Sequence, residues 1–124
     1  MRAVELTESQ ARQLLSDEAF GPDGLLVKVR MGDDPGPERF DRVLAAVRTV
    51  FDAIGNAQTI DRPLAHALFA LANDVEGQVG GWMDRGMIWR SRLVEQELPN
   101  LLMAVESVFA GEWLGEDGEG EAEL

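Results

Sequence analysis

The only histidine of the chain, His66, has Asn73 seven residues later on the same side of a predicted helix, with Phe69 and Glu76 on an adjoining side. Imidazole is the side chain best suited to exchange protons near neutral pH, so this group could line a ligand pocket or an acid–base site. Packing is the commoner fate of a lone histidine. Metal binding would need several convergent carboxylates, because the chain has no cysteine, no HExxH and no paired histidines. No metal or cofactor is expected.

A second stretch, residues 82–92, sets Trp82 and Trp89 among Arg85, Arg90 and Arg92 in an otherwise acidic chain. Aromatic residues mixed with arginine can stack on bases or bind acidic partners, and Trp, Met and Arg are enriched at protein interfaces. Against that, the two tryptophans lie seven apart on the apolar side of a predicted helix, where core burial is the usual outcome. Arg90 falls in the middle of the same apolar arc, with Glu97 beside it. A charge there must be paired, snorkel to water or face another chain. A pair with Glu97 would span about 10.5 Å of helical rise, so a carboxylate from another element is an equally good partner. Ile88 lies on the opposite, polar side with Asp84 and Glu95, which suggests a helix contacted from both faces, as in a central helix or a dimer interface.

Other chemistry finds less support. Asp33, Asp34 and Glu38 lack the alternating ligands and glycine of a calcium loop, and acids are favoured before a helix start. GxGxxG, the Walker motif and GxSxG are all absent. The balance of 11 Lys+Arg against 23 Asp+Glu gives a net charge of -12, which disfavours nucleic acid and anionic membranes as partners. Zero cysteines fit a reducing compartment, and no apolar stretch has signal-peptide or membrane-span length, so the cytoplasm is the expected location.

The elements that must position these residues follow from periodicity. Residues 3–6 read as a short strand, and Thr7 and Gln10 form a capping box for a helix from Glu8, with Leu6 and Ala11 as its hydrophobic staple. After the 20–24 turn, Val27, Val29 and Met31 alternate with Lys28 and Arg30 as in a half-buried strand. Helix 37–55 carries an apolar stripe of Phe40, Val43, Leu44, Val47, Val50, Phe51 and Ile54, and its outer face pairs Glu38 with Arg42 and Arg48 with Asp52. A helix of 62–79, capped by Asp61, has a stripe of Leu64, Leu68, Leu71, Ala72, Val75 and Val79. Gly80 and Gly81 are expected to break or hinge the chain. A third helix over 82–98 leads to Pro99, which either kinks it or starts another. Leu101, Leu102, Val105, Val108 and Phe109 then continue an apolar stripe to Gly111. Residues 115–124 hold five acids and no base, the composition of a disordered tail.

The expected fold is α+β and predominantly α, a three- or four-helix bundle with a small N-terminal strand-helix-strand unit, in a single domain over 1–114. The expected function is a non-enzymatic protein–protein interaction module of the inhibitor, immunity, adaptor or chaperone-like kind, with a partner bearing a basic surface. Trp82, Arg85, Trp89, Arg90, Arg92, His66 and Asn73 are its contact candidates, and a homodimer that buries Arg90 is the simplest version. The alternative is a small-molecule-binding domain or small enzyme that uses His66 with carboxylates or Arg90.

Overall fold

The computed structural model describes residues 5–115, and every regular element among them is helical. The elements are α1 (Glu8–Phe20), α2 (Leu25–Arg30), α3 (Pro37–Ile54), α4 (Arg62–Phe69), α5 (Val75–Asp84) and α6 (Leu98–Ala110). Wide π turns at Ala70–Asp74 and Leu93–Glu97 fuse α4 to α5 and lead into α6, so the chain forms long rods over 62–84 and 91–110. None of these helices is long and apolar enough to cross a membrane. The acidic stretch 116–124 and residues 1–4 lie outside the described residues; Glu5 and Leu6 are not in a strand.

The strand-helix-strand unit is therefore replaced by two helices. The first begins as its sequence dictates: Thr7 Oγ1 accepts the Gln10 N–H at 3.1 Å, and Gln10 Oε1 accepts the Thr7 N–H at 2.9 Å. The second expected strand is α2. Its buried positions are Leu25, Leu26 and Val29, a helical spacing, whereas Met31 of the alternating pattern is 67% exposed. What favours the helix is a distant group. The buried carboxylate of Glu18 accepts the Leu25 N–H at 2.7 Å and so supplies the cap that Gly24 lacks. Gly24 itself sits where a Cβ would lie 2.5 Å from the carbonyl oxygens of Asp17 and Glu18, which lets α2 start hard against the end of α1.

Apolar stripes from all the rods share one core. Ala11 and Leu15 of α1, Val43, Val47 and Val50 of α3, Leu68, Leu71 and Val75 of the 62–84 rod, and Leu93 and Leu101 of the last rod are almost wholly removed from water. α3 packs between α1 and α6, and α2 lies against α5. The 62–84 rod starts on Asp61, whose Oδ2 accepts the Leu64 N–H at 3.1 Å while Oδ1 takes Arg12 Nη1 of α1 at 2.6 Å. The Arg12 bond, with the Leu64 N–H behind it, holds the Asp61 carboxyl below the usual carboxylate range.

Two helix boundaries differ from expectation. Gly80 and Gly81 do not interrupt the rod, which continues to Asp84; the break comes at Arg85 and Gly86, where Gly86 has φ +94°. Residues 87–90 form a non-helical link, so no helix spans 82–98 and the two tryptophans belong to different elements. Pro99 lies in the first turn of α6, where the sequence allowed it to start a helix. The π turn before it re-registers the backbone, with the Leu98 N–H reaching Leu93 O. The core positions Leu64, Leu68, Leu71, Val75 and Val79 explain the other π turn, since they advance about 3.75 residues per turn against 3.6 for an α-helix, and one wide turn absorbs the excess.

Candidate functional site

Arg90, at the end of the 87–90 link, spends four of its five N–H donors on two carboxylates of the protein. Its Nε and Nη2 donate to Asp34 Oδ2 and Oδ1 at 2.8 and 3.0 Å, and its Nη1 and Nη2 donate to Glu97 Oε2 and Oε1 at 2.7 Å each. Two forks thus meet on one planar guanidinium, a geometry that lysine could not reproduce. Bonds from Glu97, then Asp34, raise the Arg90 pKa further above its ordinary value. The same fork lowers that of Asp34 against the opposing effect of burial, with help from the Gly36 N–H at 2.8 Å. Arg92 Nε approaches Glu97 Oε2 at 3.5 Å from the exposed side. Both partners offered by the sequence, Glu97 and a carboxylate from another element, are used at once. The Glu97 pair is reachable because Arg90 is not in the helix that carries Glu97.

The tryptophans are likewise engaged. Trp89 is buried and its Nε1 donates to Val79 O at 3.1 Å. Trp82 is half-buried; its Nε1 donates to Arg30 O at 3.1 Å, its ring fills the space a Cβ on Gly32 would need, and Arg85 stacks over it at 4.8 Å. Ile88 is 92% exposed, so no other element of the chain covers that side of the link. The 82–92 stretch is a clasp that fastens the α5–α6 link to the α2–α3 loop.

A second charged cluster gave no signal in the sequence. Glu18, besides capping α2, accepts Arg39 Nε at 2.9 Å, and Arg39 Nη2 donates to Asp23 O. Arg42 turns toward Glu18 at 3.9 Å, while the expected Arg48–Asp52 pair forms at 3.3 Å. The pattern that hides Glu18 is ordinary: a polar residue on the last turn of an amphipathic helix.

His66 and Asn73 lie on the solvent side of the 62–84 rod. The imidazole packs on Phe20 with ring centres 4.6 Å apart, and Asn73 Nδ2 donates to Asp74 Oδ1 at 3.1 Å. No group of three His, Asp or Glu among the described residues converges as a metal site requires. The structure does not bring His66 and Arg90 into one pocket.

Asn73 instead borders a shallow groove between two helical walls. One wall presents Phe69, Ala72, Asn73 and Glu76; the other presents Leu102, Val105, Glu106 and Phe109. Each set has the same spacing of three, four and seven from its first member. Phe69 is 55% and Phe109 51% exposed, although Phe109 belongs to a stripe expected to be core. α6 packs along α3 and meets the 62–84 rod mainly at the π segment, beside which the groove lies. A signal for Phe109 was available: α6 has apolar residues at 101, 102, 103, 104, 105, 108 and 109, more than one face of a helix can bury. Comparisons of the chain with protein-family models, with curated proteins and with solved structures gave no match.

Proposed function

We propose that the protein is a non-enzymatic interaction module whose docking face is the groove between the 62–84 rod and α6. The observation that carries this reading is the pair of half-exposed phenylalanines, Phe69 and Phe109, on the two walls of a shallow, mostly apolar groove. Such rings are under-used by the fold itself. Covering the exposed half of each contributes roughly 2 kcal/mol, enough for the pair to act as anchors of an interface. The π turn in one wall adds support, because π turns recur at functional positions in helices and here it helps to set Ala72 and Asn73 in the groove.

The ligand-binding or enzyme alternative draws less support. Its two key groups are separated, Arg90 spends its forks on Asp34 and Glu97, and His66 rests on Phe20. The interaction reading is tested by affinity purification from the native cell with the wild-type chain and a Phe69→Asp/Phe109→Asp variant as baits. A protein held by the wild type and lost from the variant is the expected result. An identical set of retained proteins overturns the reading.

A further inference from the structure

The charge around the groove narrows the partner's chemistry. Residues 63–84 and 93–124 contain no Lys and no Arg, so both walls come from stretches whose only full charges are acidic. Glu76 and Glu106 are exposed within the groove, and neither is paired with a cation among the described residues. Several arginines elsewhere are committed: Arg12 to Glu8 and Asp61, Arg39 to Glu18, Arg90 to Asp34 and Glu97. An apolar channel with unneutralised carboxylates on it favours an occupant that is apolar along one side and cationic along its flanks.

The shape narrows it again. From Phe69 to Glu76, and from Leu102 to Phe109, each wall offers about two helical turns, close to 10 Å. Two helical walls lining one groove form a seat for a third helix, which would place side chains at i, i+3, i+4 and i+7 between the phenylalanines. A second copy of this chain is a poor occupant, because a two-fold contact here would bring Glu76 and Glu106 against acidic walls in a molecule of net charge -12. The chain's own residues 116–124 are disfavoured for the same reason, being acids, glycines, one alanine and one leucine.

We infer that the groove receives a basic amphipathic helix of another protein, with apolar residues on Phe69 and Phe109 and Lys or Arg beside Glu76 and Glu106. This rests on the interaction reading above and specifies its partner. The test uses the full chain and a synthetic amphipathic peptide of about 18 residues, with Leu at i, i+3, i+4 and i+7 and Lys elsewhere, beside a counterpart with Glu in place of Lys. Titration followed by calorimetry should show binding of the Lys peptide only. Phe69→Asp/Phe109→Asp and Glu76→Lys/Glu106→Lys should each weaken it at least tenfold, with unchanged circular dichroism and thermal midpoint. Asp17→Lys, a single charge reversal on α1 away from the groove, should leave the affinity within about twofold. If the phenylalanine variant weakens binding and the glutamate variant does not, or if both peptides bind alike, the basic class is wrong and the groove reading survives. Where neither variant matters, or the Lys peptide does not bind, the inference falls. A wild-type dimer in sedimentation that Phe69→Asp dissociates would make a second copy the occupant and overturn it as well.

Discussion

The Arg90 clasp and the Phe69–Phe109 groove use opposite materials to opposite ends. In the clasp, charged groups that look chemically active are closed on one another: Glu97 is 8% exposed and both of its oxygens are bonded to Arg90. In the groove, ordinary apolar residues that look like core are left half in water. A fold satisfies what it needs for its own stability, so unusual residue types mark a joint here, and the half-exposed phenylalanines are what the proposed docking face rests on.

The largest effect that separates the two regions is expected at Arg90. Arg90→Ala leaves Glu97 buried with only the exposed Arg92 nearby, and should destabilise the chain by roughly 3 kcal/mol in urea unfolding. Phe69→Asp, in contrast, should change stability by no more than about 0.5 kcal/mol. A similar loss at both sites would erase the distinction.

The glycines sharpen it next. Gly86→Ala forces a Cβ onto a backbone with φ +94° at the turn that delivers Arg90, and should cost about 1–2 kcal/mol. Gly80→Ala, inside the rod and facing open space, should stabilise by about 1 kcal/mol. Thermal midpoints moving in opposite directions are the expected outcome, and a common direction would contradict the observed helix ends.

Acid should loosen the clasp. The Asp34 carboxyl is held below its ordinary range by Arg90, so its stabilising contribution is complete above the unfolded value near ~3.9 and disappears as pH falls through the lower folded value. At pH 6, Asp34→Asn should cost about 1 kcal/mol, discounted for partial exposure, and the gap from wild type should narrow as acid protonates Asp34. A gap that stays constant to pH 2 would deny the fork its charge. The smallest effect belongs to His66→Ala, which removes one ring contact with Phe20 and should stay within about 0.5 kcal/mol by the same assay.

Much of this architecture could be read from residue spacing. The capping box at Thr7, the stripe of α3, the Asp61 cap and the stop at Gly111 are local signals with local causes, and each recurs in the structure. The failures have non-local causes. α2 alternates like a strand over five residues, but its helical start is supplied by Glu18 from another element, seven positions earlier. The π turns shift the faces of two rods in a way that ideal wheels cannot follow, and the wheel for 82–98 assumed a helix where Gly86 breaks the chain. Arg90 was recognisable as needing a partner, yet Asp34 lies 56 positions away and only packing brings it near. The groove was the least legible feature, because exposure of Phe109 depends on which elements pack against α6 and not on its own spacing.

The division of labour between clasp and groove is tested most directly by amide chemical-shift mapping of the 15N-labelled chain during titration with the Lys-rich amphipathic peptide. The account predicts perturbations centred on Phe69, Ala72, Asn73, Glu76, Val105 and Phe109, with residues 82–92 unmoved. Shifts centred on Trp82, Arg85 and Arg92, with the groove silent, would contradict it.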